Sequence, residues 1–308
     1  MSIRYLIYKE IDKVKWDDCI RRSINGLIYA ESAYLDHMSA NWNAIILNDY
    51  EAVMPLTWKK KLGIRYLYQP PFLQQGGVFF KNKLPVKVMR SIMDEASDRF
   101  KFAECTVNYG NLIDWKQEDI KQTLRNNFIL QLGSGYKNIY KNYNTYIKQR
   151  LNRLQKFSLQ YKKSGDITGT IKLYKELYHD RMSSLSDKDY TQFSKLCKYY
   201  LKDERVICRH VHNSDGKELL ASVLLLKDDN RIYNIISCIL PNGKKLLANY
   251  FLYNELIREF SDKEIILDFE GSDIPGVSYF YNKFASENQQ YAFIKFNRLP
   301  LPIRLLKK

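Results

Sequence analysis

The chain has 308 residues, enough for about two domains at roughly 150 residues each. Its 49 Lys and Arg outnumber 34 Asp and Glu, a formal net charge of +15, and 45% of its residues are apolar. With only 13 Gly and 8 Pro, this composition excludes a collagenous, low-complexity or mainly disordered chain. No stretch approaches the roughly 18 to 20 uncharged apolar residues of a membrane span. The opening MSIRYLIYKEIDKVKW brings acids too early for a secretory signal and has no small-residue cleavage site. Cys19, Cys105, Cys197, Cys208 and Cys238 are scattered without a CxxC pair, so neither a disulfide framework nor a metal site is expected. A reduced, cytoplasmic protein is the expectation.

In chain order, residues 42–47 and 51–56 read as neighbouring strands with a turn at Asn48-Asp49. Residues 64–68 form a third strand after Gly63. A loop with Pro70, Pro71, Gly76 and Gly77 leads to a helix-period segment, 85–100, and a strand, 102–107. Residues 120–165 then hold ten Lys and Arg and no acid, with Gly133-Ser134-Gly135 as the clearest boundary signal. Within this stretch, 136–163 reads as one helix whose apolar face carries Ile139, Tyr143, Ile147, Leu151, Leu154 and Tyr161. Arg150 falls inside that stripe.

Two helices, 170–185 and 190–201, precede strands 205–211 and 219–226, which a turn at Ser214-Asp215-Gly216 joins. Strand 231–240 meets the loop Pro241-Asn-Gly243, which opens a helix over 244–260 before strand 264–268. A short helix, 276–285, and a strand, 291–297, come next. Each half is thus an antiparallel meander, a crossover helix and a further strand. That order predicts an α/β (α+β) fold with two like units, each a mixed, mostly antiparallel sheet flanked by helices. The boundaries read as a first unit over 1–135, a basic linker helix over 136–165 and a second unit over 166–308.

The strand-to-helix turn at Leu240, Asn242, Gly243, Lys244, Lys245 and Ala248 offers free backbone N–H groups, a helix dipole and two lysines. Such a turn can hold a diphosphate; its other reading is an ordinary turn with solvated lysines. Arg150, Arg153 and Lys156 on the basic helix read as contacts to a polyanion or as a solvated face. Tyr136, Tyr140, Tyr143 and Tyr146 would stack on bases or pack inward. The lysine-free loop holding Gln74 and Gln75 suits a polar, neutral acceptor, or is simply a stiff connection. If strand 264–268 continues, Asp268 and Glu270 share a face, and Glu270 stands as a candidate base.

Asn242-Gly-Lys-Lys-Leu-Leu-Ala248 lies where the GNAT N-acyltransferases carry their diphosphate loop, and the chain resembles that family. Tyr281-Asn-Lys283-Phe-Ala285 is similar to its Tyr-x-Lys-x-Gly-Phe pattern, with Ala285 in place of Gly. A further resemblance is to tandem GNAT-like proteins of the FemABX peptidoglycan-branching group. It rests on Met54-Pro-Leu with Gln69-Pro-Pro-Phe-Leu-Gln74-Gln75-Gly76-Gly77, on residues 148–156, on Leu267-Asp-Phe-Glu-Gly-Ser272, and on Tyr281 to Phe284. It implies transfer of an acyl or aminoacyl group from acyl-CoA or aminoacyl-tRNA to an amine, such as one on a peptidoglycan precursor. No permanently bound cofactor is implied. It also implies Tyr281 as the acid for the leaving group. Strands splaying apart between Leu240 and Asp268 would expose oxyanion-binding amides. A non-catalytic module holding RNA or an anionic precursor is the alternative. The C-terminal residues 298–308 mix leucine and base as surface-seeking tails do, which suggests contact with a membrane surface.

Overall fold

A computed structural model describes residues 1–114, 120–181, 184–271, 273–301 and 304. The chain forms two compact units, Met1–Arg125 with Gln290–Lys308, and Asn126–Gln289.

In unit 1, β1 (Ile3–Leu6) is followed by α1 (Lys13–Arg22), which Asp12 caps by accepting from the amides of Val14 and Lys15. After α2 (Ser32–Met38) comes β2 (Trp42–Leu47), an apolar run buried at all six positions. The meander continues through β3 (Ala52–Lys61) and β4 (Ile64–Tyr68); β5 (Phe79–Phe80) pairs beside β3. The crossover is α3 (Val86–Arg99), which buries Met89, Ile92, Met93 and Ala96 at helical spacing. It delivers β6 (Phe102–Val107) parallel to β4, and β7 (Ile120–Arg125) closes this stretch.

Unit 2 opens with β8 (Phe128–Gln131), α4 (Tyr136–Asn142) and α5 (Thr145–Leu154), then β9 (Gln160–Ser164), α6 (Ile167–Tyr178) and α7 (Asp187–Leu201). The meander β10 (Val206–His212), β11 (Leu219–Lys227) and β12 (Arg231–Ile239) comes next. The crossover is α8 (Pro241–Lys245) plus α9 (Ala248–Phe260), leading to β13 (Ile266–Asp268) parallel to β12. Then come α10 (Pro275–Asn282), β14 (Glu287–Asn288) and β15 (Tyr291–Asn297). The sheet of unit 1 runs β1-β2-β3-β4-β6-β15-β7, with β5 on β3, and that of unit 2 runs β14-β8-β13-β12-β11-β10-β9.

These orders divide the chain differently from the boundaries at 135 and 165. Each sheet takes a strand from the other half of the sequence. β8 pairs with β13 and β14 in unit 2, and β15 pairs with β6 and β7 in unit 1. Alternation places Ala292, Ile294 and Phe296 in the core of unit 1, so β15 cannot remain with the second repeat. The segment expected as one linker helix is two helices, a turn and a strand. Tyr143 (ψ 143°) ends the first helix, and Asn144 caps the second by accepting from the amide of Tyr146 at 2.9 Å. The expected apolar face holds as far as Leu154: Ile139, Tyr143 and Ile147 join Leu252, Leu256 and Phe284 in the unit 2 core. Helix 244–260 is likewise broken, by Leu247 in the left-handed conformation (φ 57°). Of the C-terminal tail, 302–303 and 305–308 lie outside the described residues, as does Ser272.

Asp268 ends β13 and is inaccessible to solvent. Its Oδ2 accepts from Arg231 Nη1 at 2.6 Å and Asn127 Nδ2 at 3.2 Å, and its Oδ1 from the amide of Glu270 at 2.9 Å. Arg231, 4% exposed, also donates from both terminal nitrogens to Gln289 Oε1 at 3.2 and 3.1 Å. A buried carboxylate with this set of donors is satisfied, and removing it strands the guanidinium. We expect Asp268→Ala to lower the free energy of unfolding in urea by about 3 to 5 kcal/mol. Removing the exposed Lys15–Asp49 pair should change it little. Near-native stability of Asp268→Ala would show that the pair does not anchor the strand.

Candidate active site

Among the described residues β12 pairs with β13 only at Arg231↔Ile266, Ile232↔Leu267 and Tyr233↔Asp268, whereas its other edge pairs with β11 as far as Ile239, across a bulge at Asn234 and Ile235. Beyond Tyr233 the parallel ladder stops, and the amide of Phe269 turns to the carbonyl of Phe128. The parting expected from the sequence is therefore present, and it begins at Asn234. Five side chains gather there. Asn234 comes from β12, Tyr253 from the second turn of α9, Tyr281 from the end of α10, and Phe269 and Glu270 from the turn after β13.

Asn234 Nδ2 donates to the hydroxyls of Tyr253 at 2.8 Å and Tyr281 at 3.3 Å, and lies 3.4 Å from the carbonyl of Phe269. The Tyr253 hydroxyl donates to Ser237 Oγ at 3.1 Å and stands 3.4 Å from that of Tyr281. The Phe269 ring stacks on Tyr281 at 4.8 Å between centres. Burial, then Tyr253 beside it, hold the Tyr281 phenol well above its usual 10, so it stays protonated at physiological pH.

Glu270 does not continue β13. It adopts φ 61°, a left-handed conformation that is costly for a side-chain-bearing residue and that turns it off the face of Asp268. The amide bond to Asp268 holds that turn. The residue as a whole is half-buried, yet its Oε1 is shut off from solvent and has no hydrogen-bond partner among the described residues. Burial pushes its carboxyl up to about 8. Asn234 Oδ1 is a second buried acceptor without a partner. Two unpaired acceptors beside phenolic donors fit a group that brings N–H bonds, and a carboxyl titrating near neutrality can take a proton from it.

The equivalent parting in unit 1 is closed. There β4 and β6 pair only at Leu67↔Ala103 and Tyr68↔Glu104. The chain then doubles back, and Gly76 bridges Val107 in the place β4 has left. Gln69 Oε1 accepts from the amide of Thr106 at 2.9 Å, and Thr106 Oγ1 donates to the carbonyl of Gln74 at 2.6 Å. Gly77 (φ 87°) lies so close to Asn111 that a Cβ would sit 2.3 Å from its Oδ1. What remains is a cavity of ≈ 20 Å³, room for one water. Gln75 is buried with its Nε2 on Gln74 Oε1 at 2.8 Å, so these amides hold the plug together.

The expected diphosphate turn is differently built. Gly243 is buried, and a Cβ there would lie 2.0 Å from the carbonyl oxygen of Leu220. Its missing side chain thus serves close packing of α8 on β11. Leu240 gives its amide to Leu220, Asn242 pairs with Glu218 at 2.7 Å, and Ala248 is buried. Lys244 and Lys245 are exposed. Arg153 and Lys156 are exposed on and just after α5, whereas Arg150 is half-buried with its Nη2 on the Tyr146 hydroxyl at 3.0 Å. Sequence reasoning missed Asn234 and Tyr253. The signal for Asn234 was an amide inside an otherwise apolar strand; Tyr253 carried none, being one tyrosine of 24.

No protein-family model matches the sequence, and no curated protein matches it. Solved structures do. FemX superposes with a TM-score of 0.66 at 12% identity over 99% of both chains. The chain has the tandem GNAT-like fold of FemX. A tandem GNAT protein from the clavulanic acid biosynthesis pathway gives 0.54 at 7% identity over 96% of this chain and 98% of that one. The C-terminal domain of a protein described as a lysylphosphatidylglycerol synthetase, from Agrobacterium fabrum, gives 0.56 at 10% identity over 96% and 94%. On this FemX-like frame no described helix is long and apolar enough to cross a membrane.

The raised carboxyl of Glu270 makes stability depend on pH. Between its ordinary 4.5 and about 8 the folded chain holds a proton that the unfolded chain has lost, so folding is disfavoured progressively as pH rises through that window. Glu270→Gln removes the cost. Its melting temperature, followed by circular dichroism, should match the wild type at pH 4 and exceed it increasingly up to pH 9. A pH-independent difference would contradict the buried, unpaired carboxyl.

Proposed function

We propose that unit 2 is an N-acyltransferase, moving an acyl or aminoacyl group from a phosphate-bearing carrier, CoA or tRNA, to an amine. The observation that carries this is Glu270 Oε1, buried without a partner among the described residues where β12 and β13 part. In this reading the amine nitrogen attacks the carbonyl carbon of the bound thioester or ester. Glu270 takes the proton that the nitrogen sheds. The N–C bond forms as the bond to the carrier's sulfur or oxygen breaks. Amides on the unpaired edge of β12 and the Tyr281 hydroxyl donate to the developing oxyanion. A phenol held above 10 is a poor acid toward a thiolate, whose conjugate thiol titrates near 8.5. Tyr281 therefore acts as a hydrogen-bond donor, and the leaving group collects its proton from solvent when the carrier is CoA.

The plugged gap of unit 1 leaves one reacting centre per chain. The resemblance to the FemABX group supports a cell-envelope precursor as acceptor, and five free cysteines fit the reduced cytoplasm where such precursors are built. Transfer assays with panels of acyl-CoA and aminoacyl-tRNA donors test the reading. Glu270→Gln should slow transfer by about 10² to 10⁴-fold and abolish the rise in rate centred near pH 8. Tyr281→Phe should slow it by about 10² with the pH profile kept. Full activity of Glu270→Gln, or no turnover with any donor, would sink the proposal.

A further inference from the structure

Lys283 is 6% exposed, a degree of burial that lysine tolerates only with a partner. No carboxylate meets it among the described residues. Its ammonium instead lies between two aromatic rings, 3.6 Å from the centre of Tyr146 and 3.5 Å from that of Tyr279. A second cation shares the same ring: the Arg150 guanidinium stands 4.6 Å from the centre of Tyr146 and donates to its hydroxyl. Arg150 also has no acidic partner among the described residues. The acids of α9 are committed elsewhere, Glu255 to Arg258 and Glu259 to Arg209.

Two positive charges are thus held on one tyrosine without a counter-charge. Hydrogen bonds from Tyr250 and from Arg150 hold the Tyr146 phenol below its usual range, as a positive local field would. Such an arrangement repels itself until an anion enters. The Arg fork matches paired oxygens, and two cations suit a dianion better than a single carboxylate. Tyr279 is exposed, so the rim is accessible. Tyr250 lies one helical turn before Tyr253 on α9, and its ring meets Phe280 at 5.1 Å, next to Tyr281. The cluster therefore borders the reacting centre.

We propose that Arg150, Lys283 and Tyr146 form an anion site that takes a phosphate or diphosphate group of a soluble carrier. None of the three residues belongs to the Lys244–Lys245 turn where such a group was expected. Its role in holding a donor, though not its affinity for phosphate, rests on the transferase reading. Titration calorimetry of the full chain with inorganic pyrophosphate and with ADP tests it. Wild type should bind one equivalent. Arg150→Gln and Lys283→Met should each weaken binding by about tenfold or more, and the double variant should lose it. Lys244→Ala should change it little. If Lys283→Met fails to fold, the half-exposed Arg150→Gln decides alone.

Unchanged affinity in Arg150→Gln, equal loss in Lys244→Ala, or binding only to phosphatidic acid vesicles and not to the soluble diphosphates overturns the site. The two readings fail separately. Variant-sensitive pyrophosphate binding without transfer from any donor keeps the site and removes the transferase. Transfer with an unaltered KM for the donor in Arg150→Gln keeps the transferase and removes the site.

Discussion

Asp268 accepts hydrogen bonds from Arg231, from Asn127 and from the amide of Glu270, with no contact with water. These bonds decide where the parallel ladder stops. Arg231 and Asn127 tie the end of β13 to β12 and β8, and the third bond turns the next residues off the strand axis. From Asn234 onward, β12 then faces no neighbouring strand on that side among the described residues. A carboxylate this deeply buried is tolerable only because each oxygen is satisfied. The same bonds place the second carboxylate, two residues on, with one oxygen that no hydrogen-bond partner among the described residues reaches. One acid is thus fully paired and its neighbour is not.

The two repeats solve the same geometric problem in opposite ways. In both, a crossover helix brings a strand parallel to the end of the meander for two or three residue pairs before the strands diverge. Diverging strands leave backbone groups that must find partners. Unit 1 supplies them from its own loop: the backbone of Gly76 and the side chain of Gln69 complete the edge of β6. Unit 2 lines the gap with Asn234, Tyr253 and Tyr281 and leaves acceptors open. The repeats thus share a frame and differ in how the gap is filled.

Local periodicity made most of the elements legible, because burial of β2, α3, β11 and α9 follows from their own residues. The break at Asn144 was harder, since the apolar face runs on through it and only the cap marks the end of one helix. Strand exchange was not legible at all: β8 and β15 look like ordinary strands, and their partners lie far away in sequence. Gly243 shows a related limit. A glycine in sequence announces close approach without saying what approaches, and here it is the carbonyl of Leu220. Glu270 stands out in the sequence as a strand-end acid, but its value comes from a left-handed turn that no residue type announces.

Hydrogen exchange of the unliganded chain, read amide by amide, tests the parted sheet most directly. Arg231–Tyr233 lies between two strands, so its amides should be protected throughout. Beyond the bulge, over residues 236–239, β12 pairs with β11 alone among the described strands, so every second amide should exchange faster than its neighbours. Around Thr106 and Asn108 in unit 1, where the loop fills the gap, protection should be continuous. Uniform protection along 236–239 would mean that β12 and β13 remain joined, and the proposed centre between them would not exist.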